Sequence, residues 1–178
     1  YKMNDLQLHL NDNYIFLEKH VEGKQLSKQE ELDYVLKNAK TGFRVETDVV
    51  GENGEKLTSD EHYTKEEMQQ IIKLAKALHI NLVPEIDTPG HALSFVKVRP
   101  DLMYKGSLSD YRGKHNVERV AMLDLDNKYE ETLAFVKSVY DKLLDGENAP
   151  LHGVSTVHIG TDEYYGSRES YRRYVNDM

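Results

Sequence analysis

Two adjacent carboxylates, Asp162 and Glu163, follow His158-Ile159-Gly160-Thr161 and the β-branched run Val154-Ser155-Thr156-Val157. Successive strand side chains point to opposite faces, so such a pair can serve one site only where the strand stops. Carboxylates that close also repel, which raises the pKa of at least one of them. A protonated acid beside an ionised partner is what glycosidic bond cleavage requires. The same tetrad could be a solvated acidic loop, a common feature in a chain with 31 Asp and Glu residues. Other groups able to join this chemistry stand at the ends of other apolar runs: His9 and Asp12, then Glu85, Asp87 and His91, with His158 just ahead of the acidic pair.

The bulk properties bound what those residues can do. A length of 178 residues predicts one domain, 1–178, large enough for a core. A hydrophobic fraction of 39% with 30% charged residues describes a soluble globular chain. The net charge of −8, with no basic block, argues against nucleic acid and anionic membrane as partners. No apolar run is long enough to insert in a bilayer. The chain begins inside what reads as structure, with no leader segment. The absence of cysteine excludes disulfides and thiolate catalysis without fixing a compartment. Nothing in the spacing calls for a cofactor, and oligomeric state is not encoded at this level.

Hydrophobic periodicity gives the elements that must position these groups. Met3 to Leu10 alternates Leu6, Leu8 and Leu10 with polar residues, the pattern of a strand with one buried face. Ser27 to Lys40 reads as a helix with a Ser27/Glu30 capping box, an apolar stripe of Leu32, Val35, Leu36 and Ala39, and a stop at Gly42. Phe43–Val50 and Glu55–Tyr63 flank Gly51-Glu52-Asn53-Gly54 as a hairpin. Thr64 with Glu67 opens a second helix carrying Met68, Ile71, Ile72, Ala75 and Leu78. Ile80 to Ile86 is a strand buried on both faces. A long polar connection then runs from Pro89 to Arg119, and Val120 to Leu125 is a short strand or loop. Asn127 and Glu130 cap a helix with Tyr129, Leu133, Val136, Tyr140 and Leu143, ended by Gly146. The strand before the acidic pair follows, then a helix in Tyr164 to Met178.

Strands separated by helices predict βαβ units and a parallel sheet. Polar groups gathered at the C-terminal ends of such strands are the habit of (β/α)8 barrels, which open doubly wound sheets share.

Three phrases carry a family resemblance: Leu8-His9-Leu10-Asn11-Asp12 behind Lys2-Met3-Asn4, then Val83-Pro84-Glu85-Ile86-Asp87-Thr88-Pro89-Gly90-His91, then His158-Ile159-Gly160-Thr161-Asp162-Glu163. In this order, with Phe43-Arg44-Val45-Glu46, Tyr63-Thr64-Lys65-Glu66 and Val98-Arg99-Pro100-Asp101-Leu102 between them, they resemble the catalytic domain of glycoside hydrolase family 20, the β-N-acetylhexosaminidases and lacto-N-biosidases. The resemblance implies an α/β fold, a partial TIM (β/α)8 barrel comprising roughly strands 2 to 4 with their helices, because 178 residues fall short of the ~250 of a full barrel. The first strand and the later tryptophan-lined strands would lie outside this chain, and the chain contains no Trp.

By resemblance, Glu163 is the general acid/base and Asp162 holds the substrate's 2-acetamido group, whose oxygen acts as nucleophile in a substrate-assisted, retaining reaction. Glu163 would then need a pKa raised by burial and by Asp162, while Asp162 stays ionised. His91 matches a histidine that tunes the acid, with Asp12 as its partner; Asp87 and Glu85 match positions near the pocket floor. Implied partners are glycans with β-linked N-acetylglucosamine or N-acetylgalactosamine, with no metal or other cofactor. The implied setting is bacterial, secreted or attached to the cell surface, and the isolated segment is expected to be inactive. The chain departs from the family where Asn13 replaces a second acid, where Tyr14-Ile15-Phe16 replaces a Gly-Trp, and where Thr161 stands in place of a common glycine.

Two other readings use the same residues. His9, Asp12, His91, His158, Asp162 and Glu163 could be ligands of a metal-dependent barrel hydrolase, although no His-x-His or His-Glu-x-x-His is present. A non-catalytic carbohydrate-binding fragment is the third reading; such modules stack sugars on exposed aromatics, for which a chain without Trp is poorly equipped. His158 reads equally as a core histidine in its strand, His9 as polar filler opposite the leucines, and the Met and Tyr residues at helical spacing as core.

Overall fold

The computed structural model describes residues 3–14, 40–105 and 121–178, together with positions 27, 30, 33, 34 and 37. Strand β1 (Asp5–His9) pairs in parallel with β4 (Asn81–Glu85), in the register Asp5 to Asn81 through His9 to Glu85. Beyond β4, Glu85 forms a parallel bridge to His158, closed by His158 N–H to Pro84 O at 2.9 Å and Ile86 N–H to His158 O at 3.1 Å. Three parallel segments therefore lie side by side, joined by helical connections, as the alternation of elements predicts. The third is one bridge rather than the buried strand expected over Val154–Val157, whose residues are half-buried or exposed. In β1 the leucine face is also more open than expected: Leu6 is exposed, Leu8 half-buried and only Leu10 fully covered.

A second, antiparallel pair forms directly after β1. Strand β2 (Asn11–Tyr14) runs against β3 (Lys40–Phe43), with Asp12 opposite Gly42. Gly42 is thus a strand residue and not a helix stop. The apolar stripe expected before it lies outside the described residues, but the capping box is present: Ser27 N–H donates to Glu30 at 2.8 Å and Glu30 N–H returns to Ser27 Oγ at 3.3 Å.

The hairpin expected around Gly51–Gly54 is a turn with one antiparallel bridge, Val50 to Lys56, and not two regular strands. Its Asn-Gly chemistry holds: Gly54 has φ +82°, and Gly51 N–H donates to Glu55 O at 2.8 Å. Helix α1 (Lys65–Ala77) starts at Thr64 with the full capping box and buries Met68, Ile72 and Ala75. The Pro89–Arg119 stretch is not wholly a polar connection: helix α2 (Leu93–Val98) buries Leu93, Phe95, Val96 and Val98, and a 3-10 turn follows at Pro100–Leu102. Six residues are too few to display a 3.6-residue period, so the pattern reads as irregular in sequence.

Helix α3 (Tyr129–Leu144) lacks the expected Asn127 cap. The buried Asp124 organises that turn instead, accepting from the N–H groups of Asp126 at 2.9 Å and Asn127 at 3.0 Å. Gly146, at φ +88°, ends α3 as its position predicts. Helix α4 (Arg168–Asp177) is capped by Ser167. The core gathers Leu10, Phe43, Val45, Leu57, Met68, Phe95, Val136 and Leu143, with Phe95 edge-on to both Phe43 and Phe135 at 5.7 and 5.9 Å between ring centroids. This core fixes β1 and β4, and so fixes what stands at their C-terminal ends.

Candidate active site

The first functional segment after β1 is held by a residue that sequence reasoning passed over. Asn11 is fully buried; its Nδ2 donates to Asp87 O at 2.8 Å and to His91 O at 3.3 Å, while its Oδ1 accepts from Asp87 N–H at 2.6 Å. One amide side chain thus clamps the start of β2, which carries Asp12, to the turn carrying Asp87–His91. Asp12 is the next residue along. Its Oδ1 accepts from Asn13 N–H at 2.6 Å and faces His91 Nδ1 at 3.0 Å, while its Oδ2 faces His9 Nε2 at 3.2 Å. Burial pushes the Asp12 pKa up, but the Asn13 amide and the two histidines outweigh it and hold the carboxyl below its ordinary value.

The segment after β4 turns sharply at a cis Thr88–Pro89 bond and places His91 at φ +48°. Its Nε2 lies 3.6 Å from Glu163 Oε2, so His91 stands between Asp12 and Glu163. Burial lowers the His91 pKa, yet the carboxylates of Asp87, Asp12 and Glu163 together raise it above the ordinary value. Asp87 is fully buried: Oδ1 accepts from Thr161 N–H at 2.9 Å, Oδ2 has no hydrogen-bond partner among the described residues, and desolvation raises its pKa.

The acidic pair sits on a loop that backbone contacts press against this framework. A side chain at Gly90 would meet Glu163 O at 2.3 Å, and one at Gly160 would meet Asp87 Oδ1 at 2.2 Å. Gly160 and Thr161 both adopt positive φ, +66° and +74°. That conformation is cheap for glycine and strained for a β-branched threonine. The two residues carry the chain past the last bridge to Asp162 and Glu163, both of which lie near His91. Asp162, Asp87 and His91 offer atoms within 4.8 Å of one another. The burial expected around Glu163 is not found, since 47% of its side chain is exposed.

Glu85, His9 and His158 form a second group beside this cluster. Glu85 is 5% exposed, accepts from Gln7 Nε2, and lies 3.3 Å from His9 Nδ1 and 3.5 Å from His158 Nδ1. Desolvation raises the Glu85 pKa, but Gln7 and the histidines bring it below its ordinary value. His158 is not the core residue its strand position suggests; 46% of its side chain is exposed, and its Nδ1 accepts from Gly160 N–H at 3.1 Å.

Tyrosines at helical spacing do more than fill the core. Tyr140 OH donates to Ile86 O at 3.0 Å, Tyr174 OH pairs with Thr88 Oγ1 at 2.6 Å, Tyr164 OH accepts from Leu125 N–H at 3.1 Å, and Tyr171 OH donates to Thr161 O. Burial raises the pKa of Tyr140, Tyr164 and Tyr174, keeping their hydroxyls neutral. Their count, 12 Tyr with no Trp, was the available sign that hydroxyl-bearing aromatics were preferred here.

Carboxylates gathered round a histidine at the C-terminal edge of parallel strand–helix units follow the habit of α/β barrels. The model of the glycosyl hydrolase family 20 catalytic domain matches residues 1–175, and the chain belongs to that family. A β-hexosaminidase of Vibrio furnissii is 31% identical over 111 residues, 60% of this chain and 17% of the relative. A lacto-N-biosidase of Bifidobacterium bifidum is 29% identical over 136 residues, 75% of this chain and 10% of the relative. The solved β-N-acetylhexosaminidase of Streptomyces coelicolor superposes with a TM-score of 0.58 at 21% identity, covering all of this chain and 31% of that one. The chain thus spans under a fifth of the length of these two relatives and about a third of that structure, and shares its fold.

Proposed function

We propose that this chain supplies strands 2 to 4 of a retaining glycosidase barrel that removes terminal β-linked N-acetylhexosamine, or a disaccharide containing it. Glu163 is the general acid/base and Asp162 stabilises the acetamide. The observation that carries the reading is the approach of Glu163 and Asp162 to one histidine, His91, itself tethered to Asp12. In the first step Glu163 gives its proton to the glycosidic oxygen as the bond to the anomeric carbon breaks and the substrate's acetamide oxygen bonds to that carbon. Asp162 accepts the acetamide N–H and balances the positive charge of the oxazolinium ion. Water then attacks the anomeric carbon, giving its proton back to Glu163, and the acetamide leaves with overall retention.

The rest of the sugar pocket belongs to barrel strands outside this chain. The isolated 178-residue segment is accordingly expected to hydrolyse a chromogenic N-acetylglucosaminide little or not at all. The test is Glu163→Gln in the full-length enzyme. Turnover should fall ~10²- to 10⁴-fold on substrates with poor leaving groups and much less on activated aryl glycosides. An equal, small loss on both substrate types would remove Glu163 from the acid role.

A further inference from the structure

Strand register places three ionisable side chains in one row: His9 opposite Glu85 across β1–β4, and Glu85 opposite His158 across the next parallel bridge. Laterally paired residues point to the same side of a sheet, so the row is shared. It joins the His91 cluster without a break. Glu163 Oε2 is 3.6 Å from His91 Nε2, His91 Nδ1 is 3.0 Å from Asp12 Oδ1, and Asp12 Oδ2 is 3.2 Å from His9 Nε2. His9 Nδ1 is 3.3 Å from Glu85 Oε2, and Glu85 Oε1 is 3.5 Å from His158 Nδ1. Carboxylate and imidazole alternate along six residues.

We infer that His9 and Glu85 form a positioning arm that orients Asp12, and through it sets how His91 meets Glu163. The inference rests on the proposed role of Glu163. Each His9 ring nitrogen faces a carboxylate oxygen, Nδ1 towards Glu85 and Nε2 towards Asp12, so the ring is pinned from both edges. Gln7 donates to the same Glu85 carboxylate, and His158 Nδ1, accepting from Gly160 N–H, ties the row to the loop bearing the acids. The charged groups facing His91 are Asp12, Asp87 and Glu163; Asp162 faces Asp87 beside it. Among the described residues, Asp12 meets the two histidines and the Asn13 amide. Of this row only Glu85 is buried, and an apolar residue of similar volume could often take its place with no loss of stability. Its position at the catalytic edge gives it work that apolar residues could not do.

The experiment compares His9→Gln and Glu85→Gln with the full-length wild type. Turnover should fall on the order of ten- to a hundredfold with KM nearly unchanged, the signature of a misplaced catalytic group. The acid limb of kcat/KM should move to higher pH, because Asp12 loses a partner that favours its charged form. Profiles that superimpose on wild type in a folded variant would overturn the arm and leave the glycosidase reading intact.

Two nitrogen-15 measurements stand apart from activity. In wild type, the His9 ring should be held in one orientation between Glu85 and Asp12, seen as one fixed set of ring nitrogen-15 couplings; a freely reorienting ring overturns the bridge even if neither variant folds. In folded Glu85→Gln, the His91 titration should move to lower pH; an unmoved curve also overturns it. Absence of hexosaminidase activity with a shifted His91 titration would defeat the functional reading and not the arm.

Discussion

The two halves of the candidate site are built differently. The Asn11–Asp12 and Asp87–His91 segments are tied by short, buried hydrogen bonds through one amide side chain, behind strands that share a ladder. The Gly160–Glu163 loop leaves the sheet after a single bridge, passes through two consecutive residues of positive φ, and ends in exposed carboxylates. The first half is a frame and the second a presentation. Buried polar groups with satisfied partners hold a geometry, whereas exposed acids reach substrate but hold little by themselves. Damage to the frame should therefore appear as lost stability, and damage to the loop as lost turnover in a protein that still folds.

The sharpest test of that division lies at Asp162. Asp162→Asn in the full-length enzyme should lower kcat by on the order of 10²- to 10³-fold, by removing the charge that the proposed mechanism sets against the oxazolinium. Its melting temperature should stay within a degree or two of wild type, because an exposed side chain contributes little to the fold. A large fall in melting temperature would show that the loop is part of the frame. Asn11→Ala tests the other half. It strips partners from Asp87 N–H and from the carbonyls of Asp87 and His91, and each buried group left unpaired costs ~1–3 kcal/mol. Partial access of water reduces that sum, so a loss of ~2–4 kcal/mol in a denaturant titration is expected. A change below ~1 kcal/mol would mean that the clamp is not needed.

How much of this was readable follows the same division. Capping boxes at Ser27 and Thr64, the Gly146 stop and the register-forming runs around Leu8 and Val83 are local signals, and they stand where their chemistry puts them. The acidic pair and its histidines were also legible, because their types and order carry the resemblance. Asn11 was not: a buried amide looks like any surface Asn until the turn 76 residues away is placed against it. Asp124 displaced Asn127 as the organiser of the α3 turn for a similar reason, since several nearby residues offer the same cap chemistry and packing selects one. Val154–Val157 shows the opposite error. Its β-branched residues fit a buried strand, yet pairing there is confined to one bridge.

The link between Asp12 and His91 crosses from frame to reacting groups, and its pH dependence can be worked out. The Asp12 pKa is depressed, so its contribution is present above the unfolded value near 3.8 and is lost as pH falls through the lower folded value. The His91 pKa is raised, so its contribution is full below the unfolded value near 6.5 and is lost as pH rises through the higher folded value. Both terms coexist between about 3.8 and 6.5. Asp12→Asn should therefore lower the melting temperature most at about pH 4–6.5. The deficit should shrink above that window, and the Asp12 side chain, 40% exposed, keeps the effect modest. A deficit constant from pH 4 to pH 9 would show that packing and not charge unites the pair.

The smallest effect expected is at Thr161, where loop strain is most localised. A threonine at φ +74° is held in a region that costs of order 1–3 kcal/mol for a side chain branched at Cβ. Thr161→Gly removes that cost but adds ~0.5–1 kcal/mol of backbone entropy to be lost on folding, and it gives up the hydroxyl's bond to Gly160 O. The net should be a gain of about 1 kcal/mol or less, measurable as a small rise in denaturation midpoint at unchanged m-value. Asp87 would still receive the residue 161 N–H, so the exit of the chain from the sheet should survive the change. If turnover fell tenfold while stability rose, the strain at Thr161 would be what aims Asp162 and Glu163. If both were unchanged, the direction of the acids would come from Gly160 and from the close packing of Gly90 beneath Glu163.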